Sequence, residues 1–213
     1  MSIKISLQGV PKWGSNFEND AKRFEKENWE EGQIVFYGPS HFTRWNEKYA
    51  GIPMREALKG KSGKECVINR GFGSSCCEHQ LYYYPKFVRP LKPSALVYAP
   101  LYPNGRSFGY TVEEDLMLAE RVIAYAKADF PEMRLYIFGD NLFKRTQECF
   151  AEHNEGLQKL AELYGATFLD ISDYKPFQRT DIYWKDNKHY NALGYQIYKD
   201  FFSEKIKEEL DRF

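Results

Sequence analysis

Apolar positions along the chain form two patterns. Short continuous runs recur at Ile34-Val35-Phe36-Tyr37, Cys66-Val67-Ile68, Ala95-Leu96-Val97-Tyr98, Leu135-Tyr136-Ile137-Phe138 and Thr167-Phe168-Leu169. Runs of this length without polar interruption are expected of parallel strands covered on both faces. Between them the apolar residues fall at steps of three and four. Val112, Leu116, Ala119, Ile123, Ala126 and Phe130 make one such stripe, and Thr111 followed by Glu114 is a capping box that starts the helix. A helix is predicted over 146–164 with Gly165 as its left-handed stop, and a last one over 192–210. Ahead of the first strand, a charged helix over 16–28 puts Phe17, Ala21 and Phe24 on one side.

Strands alternating with helices predict one three-layer α/β/α domain spanning residues 1–213, with no linker or internal repeat. Right-handed crossovers place the C-terminal ends of all the strands on one edge of the sheet. Ligands of such sheets bind in the crevice outside that edge. The residues just after each strand are therefore the candidates for chemistry.

Composition narrows the possibilities. Lys+Arg and Asp+Glu both number 30 in 213 residues. No Lys/Arg run appears, so nucleic acid is not an expected partner. No apolar stretch reaches membrane-spanning length, and the N-terminus shows no secretory leader pattern, which points to the cytoplasm. Cys66, Cys76, Cys77 and Cys149 are too few and too irregular for a disulfide framework and are expected to be reduced thiols. Cys76-Cys77-Glu78-His79 lacks a CxxC spacing, and helix neighbours point about 100° apart, so no metal site is expected there.

Three segments on the active edge carry candidate chemistry. Gly38-Pro39-Ser40 follows the first strand, where a serine hydroxyl can stand at a strand-to-helix turn beside free backbone amides; serine is equally a favoured helix cap. Asn69-Arg70-Gly71-Phe72-Gly73-Ser74-Ser75 follows the second strand, and its glycines let N–H groups turn toward an oxyanion. Asp186 stands three residues before His189, close enough for the carboxylate to hold the imidazole Nδ1–H and leave Nε2 for a serine proton. Together these supply nucleophile, base, orienting acid and oxyanion donors for acyl transfer. Tyr102 after the third strand, Asp140 and Asn141 after the fourth, and Tyr183 and Trp184 ahead of Asp186, are candidate substrate contacts. His41 is a candidate pocket residue, whereas His79 and His153 lie in helical stretches and read as structural.

These segments resemble the SGNH (GDSL-like) hydrolase family over nearly the whole chain. Ile34 to Ser40, with Trp45 after it, resembles the nucleophile block; Asn69 to Ser75 resembles the glycine block. Asp186-x-x-His189 with Asn191 and Gly194-Tyr195 resembles the terminal block, the most specific of the three. The resemblance implies a flavodoxin-like five-stranded parallel sheet and cofactor-free hydrolysis of carboxylic esters. It also implies an oxyanion hole made of the Ser40 amide, a glycine-loop amide and an asparagine side chain. The chain departs from the family in three places. Pro39 replaces the aspartate before the nucleophile, and Ser74, beside Gly73, falls where the oxyanion glycine stands. In the third block, Ala99-Pro100-Leu101-Tyr102-Pro103-Asn104-Gly105, counting forward from the strand puts Tyr102 at the asparagine position. Counting back from Gly109 and Thr111 puts Asn104 there; the latter is favoured because a surface loop accepts an insertion easily. The expected activity is hydrolysis of small acyl esters, carbohydrate O-acetyl esters among them. An acyltransferase with the same triad, or an inactive binding module, are the alternatives.

Overall fold

The computed structural model describes the backbone of residues 9–213 and the side chains of residues 17–213. Five parallel strands form one sheet: β1 (Ile34–Gly38), β2 (Val67–Gly71), β3 (Ala95–Tyr98), β4 (Arg134–Phe138) and β5 (Thr167–Leu169), in the order β2-β1-β3-β4-β5. Side chains alternate between its faces, as the two-residue strand period requires. Ile34, Phe36, Val97 and Phe138 meet Phe42, Trp45 and the Tyr198, Phe201 and Phe202 stripe of the Ala192–Lys205 helix on one face. Val35, Tyr37, Leu96, Tyr98 and Ile137 face the other way. There they are covered by the Gly9–Phe24, Cys77–Phe87, Val112–Asp129 and Glu148–Leu163 helices. This is the expected three-layer α/β/α arrangement. No described helix is long and apolar enough to cross a membrane.

The elements follow the sequence pattern, with differences that include β2, the first and last helices and the loop after β3. Strand β2 runs to Gly71, so Asn69 and Arg70 are strand residues and not part of a turn. Their polarity hid this: Asn69 bonds the backbone of the turn after β1, and Arg70 is buried against Glu27 with its guanidinium 4.6 Å from the Phe24 ring centroid. The first helix ends at Phe24, because residues 25–28 carry no apolar side chain to hold another turn against the sheet. The last helix breaks at Ile206, which turns fully into the core before Lys207–Leu210 resumes. A short helix over Tyr102–Ser107 was not foreseen in the loop after β3.

Strand order reverses around β1 and β3, and a crevice opens beyond their C-terminal ends. Its floor depends on glycine. A Cβ on Gly71 would lie 2.4 Å from the Thr43 nitrogen and 2.7 Å from the Phe42 carbonyl carbon. Both are backbone atoms of the turn that carries Ser40, so they cannot swing aside as a side chain would. Gly71→Ala is expected to cost roughly 1–3 kcal/mol as overpacking and to displace that turn. Thermal unfolding should show the loss.

Candidate active site

Ser40 opens a single helical turn, Ser40–Thr43, directly after β1. Three contacts fix its position. Asn69 Nδ2 donates to the Phe42 carbonyl at 2.8 Å, while its Oδ1 accepts from the Gly71 N–H at 2.8 Å, so the end of β2 is bonded to the turn. Phe42 is buried in the core. From the far side, the Tyr195 hydroxyl donates to the His41 carbonyl at 2.9 Å.

The Asp186–His189 segment is the tip of a small hairpin. Tyr183 and Tyr190 pair across it, Trp184 N–H donates to the His189 carbonyl at 2.6 Å, and Asn187 takes a left-handed φ of 54° at the bend. Asn191 caps the last helix through its Oδ1 and sends Nδ2 back to the Asp181 and Tyr183 carbonyls. Gly194 leaves no room for a side chain, since a Cβ would stand 2.6 Å from the Ile182 carbonyl oxygen. The hairpin, the helix start and the Ser40 turn are thus one assembly, and this accounts for the Asp-x-x-His-x-Asn-x-x-Gly-Tyr spacing.

His189 Nε2 lies 2.9 Å from Ser40 Oγ, and its Nδ1 lies 2.9 Å from Asp186 Oδ2. An ionised carboxylate only accepts, so Nδ1 carries the proton and Nε2 offers its lone pair to the serine hydroxyl. Asp186 Oδ1 accepts the N–H groups of Lys188 and His189, both at 3.0 Å. Partial burial works against its charge, but those N–H groups, the His189 ring and Arg44 outweigh it and hold the carboxyl far below the usual range. His189 is held below the ordinary imidazole value, by burial first; Asp186 opposes that and Arg44 adds to it.

Sequence reasoning missed Arg44. Its Nη1 donates to Asp186 Oδ2 at 2.8 Å and its guanidinium carbon stands 4.8 Å over the Tyr49 ring. Neutralising it removes a cation that disfavours imidazolium, so the His189 pKa should rise. In Arg44→Gln the acid limb of the kcat/KM profile, which reports the free enzyme, is expected to move to higher pH. An unmoved limb would mean that Arg44 acts only on the hairpin's position.

The glycine loop lies beside the serine. A Cβ built on Gly73 would sit 3.9 Å from Ser40 Cβ. Ser74 itself adopts the left-handed conformation, φ 69°, at the position where the resembled family has glycine. A non-glycine residue there costs about 1 kcal/mol or more. The backbone N–H groups of Ser40 and Ser74 bond no other group among the described residues.

A cleft of about 490 Å³ opens over Ser40 and His189, walled by Leu101, Asn104, Arg106, Arg145, Phe150 and Lys188 among others. His41 lies on it, as expected. Asn104 reaches it, with Nδ2 donating to the Ser75 carbonyl at 2.8 Å. Tyr102 does not. It is buried, with its hydroxyl on the Tyr110 carbonyl and its ring stacked 5.0 Å from His153, so it is a core residue and not a substrate contact. Trp184 also stands off the cleft, edge-on to Tyr49 at 5.5 Å, where it braces the hairpin. Asp140, Asn141 and Tyr183 line a smaller cavity that shares His41, Leu101, Arg145 and Lys188 with the cleft. Asp140 is buried, accepts the Tyr102 N–H at 3.0 Å and pairs with Arg145 at 3.1 Å. The exposed aromatics Trp29, Tyr82, Tyr125 and Phe143 do not line the cleft, whereas Phe150 does. Arg106 and Lys188 sit two residues from Asn104 and one from His189, a proximity that sequence alone could have used; Arg145 carried no such signal.

Cys76, Glu78 and His79 bring one potential ligand atom each within 4.8 Å of one another. Angular spacing along a helix had argued against this, but Cys76 is the cap residue and lies outside the helical rotation. Their hydrogen bonds read as structural. His79 Nδ1 accepts the Cys76 N–H at 3.1 Å, Glu78 accepts the Tyr110 hydroxyl at 2.8 Å, and burial pushes the Cys76 thiol up to about 12.

No protein-family model matches the chain, and no curated protein matches it in sequence. Solved structures do match in shape. A GDSL-like lipase from Bacteroides thetaiotaomicron superposes with a TM-score of 0.66 at 15% identity, over 91% of this chain and 98% of its own. A psychrotrophic esterase from Pseudoalteromonas sp. gives 0.64 at 12%, over 85% and 100%. An acetyl-xylooligosaccharide esterase variant from Geobacillus gives 0.63 at 12%, over 84% and 96%. At such identities the likeness is one of fold, and this chain shares the fold of those proteins.

Proposed function

We propose that this chain is a member of the SGNH hydrolases and cleaves short-acyl carboxylic esters, with Ser40 as nucleophile, His189 as base and Asp186 as its orienting acid. One observation carries the reading: Asp186, His189 and Ser40 form a continuous hydrogen-bonded line, 2.9 Å at each step, that ends on a solvent-open cleft.

In this mechanism Ser40 Oγ attacks the ester carbonyl as its proton passes to His189 Nε2, and Asp186 stabilises the imidazolium. The N–H groups of Ser40 and Ser74 receive the oxyanion. Asn104 gives one Nδ2 hydrogen to Ser75 and keeps its second for the same oxygen. His189 then protonates the leaving alcohol, and water repeats the cycle to free Ser40. The cleft sets Arg106, Arg145, Lys188, Asn104 and Gln147 among its apolar residues Leu101, Pro103 and Phe150, and this mixed wall favours acetyl over fatty acyl groups. The four unbridged thiols, three of them buried, suit a reducing compartment, and we assign the chain to the cytoplasm on that ground.

The test is a p-nitrophenyl ester series from acetyl to octanoyl, together with a fluorophosphonate probe and mapping of the labelled residue. Label on Ser40 and the highest kcat/KM at the short end are expected. A chain that neither takes the probe nor releases nitrophenol is not this enzyme.

A further inference from the structure

The cleft over Ser40 holds three cationic side chains, Arg106, Arg145 and Lys188, and no Asp or Glu among its lining residues. The chain as a whole balances 30 basic against 30 acidic residues, so this is a local segregation and not a reflection of composition. The nearby carboxylates are committed elsewhere. Asp186 is bonded to His189 and Arg44, while buried Asp140 pairs with Arg145 Nε and offsets that one charge, so the excess positive charge on the cleft is that of Arg106 and Lys188.

Among the described residues the Arg106 guanidinium bonds only a neutral amide oxygen, that of Gln147, at 2.6 Å. Lys188 makes no side-chain ion pair or hydrogen bond among the described residues. Phe150 lies under both guanidiniums, 5.7 Å from Arg106 and 5.3 Å from Arg145, and such stacking holds their planar forks in place. His41, on the same wall, is kept well below the ordinary imidazole value, by burial first and then by Arg145, and so adds no charge of its own.

From this arrangement we infer that the natural substrate is an anionic ester, an acyl ester of an alcohol that itself bears a carboxylate or phosphate. The inference rests on the hydrolase reading of Ser40. Charge belongs on the alcohol for two reasons. An acetyl-sized acyl group has no room for a charge, and Lys188 adjoins His189, the group that hands a proton to the departing oxygen. Guanidinium forks match the oxygens of carboxylate and phosphate alike, and a cleft of one sign also concentrates such substrates at its mouth.

The test compares three acetyl esters on one phenyl ring: 4-acetoxybenzoate, 4-acetoxyphenyl phosphate and the neutral methyl 4-acetoxybenzoate. At low salt kcat/KM should favour an anion over the neutral ester by about ten-fold or more. The better of the two anions then says which group the forks hold. The advantage should shrink in about 0.5 M NaCl, where the screening length falls to about 4 Å. In Arg106→Gln/Lys188→Gln the anion-to-neutral ratio should fall toward one. Arg145 is spared because its loss would strand buried Asp140. Equal rates for all three esters, with a ratio unmoved by the double variant, would overturn the inference and leave the esterase standing. Turnover of none of them, with no fluorophosphonate label, refutes the hydrolase reading, and the inference falls with it.

Discussion

Ser40→Ala should lower kcat for p-nitrophenyl acetate by about 10⁴–10⁶-fold with no change in unfolding temperature. Among the described residues the side-chain hydroxyl makes a single hydrogen bond, to His189 Nε2, and the turn is held by Phe42, Asn69 and Tyr195. Removing one oxygen should therefore abolish the proposed nucleophile without loosening its mounting. His189→Ala should cost as much, since a hydroxyl without a base is a poor nucleophile at neutral pH. The double variant should fall no further than either single one, because groups that act as a unit are not additive. Stopped assays on all three, with circular dichroism to confirm folding, make the check. Ser40→Ala turnover within about ten-fold of the parent would show that the hydroxyl is not the nucleophile.

How much of this was legible in the sequence depends on how local the determinants are. The apolar runs of β1, β3 and β4 mark strands because parallel strands covered on both faces need continuous hydrophobicity; the edge strand β5 has only Leu169 fully buried. The second half of β2 was not legible, because Asn69 and Arg70 are polar for reasons of contact: one bonds the Ser40 turn, the other Glu27. The meeting of residues 40 and 189 could be anticipated once both were placed on one sheet edge, and Asp186 comes with His189 by spacing. The two options for the third block were separable only in three dimensions, where Tyr102 is drawn into the core against His153 while Asn104 remains on the cleft. Arg44 stands four residues after Ser40, a proximity the sequence offered, but its contact with Asp186 crosses 142 residues and shows only in the fold; Arg145 reaches the site from a loop.

Asp186→Asn is expected to lower kcat by about 10²–10⁴-fold, through the direction of one hydrogen bond and not through loss of shape. Asp186 Oδ1 accepts two backbone N–H groups, so the carbonyl oxygen of an asparagine would keep that position. Its NH₂ would then stand where Oδ2 now faces His189 Nδ1 and Arg44. An NH₂ donates, so the imidazole would have to present its lone pair at Nδ1 and carry its proton on Nε2, where it can no longer accept from Ser40. The Arg44 guanidinium would lose its counter-charge as well. Side-chain exposure of 32% at Asp186 lets water relieve part of this, which is why the lower end of the range is admitted. The pH profile separates this cause from mere displacement. Losing the carboxylate removes what raises the His189 pKa and leaves Arg44, which lowers it. The acid limb of kcat/KM should therefore move to lower pH in Asp186→Asn, opposite to its movement in Arg44→Gln. Limbs that moved together would mean that the two residues do not act on His189 through charge.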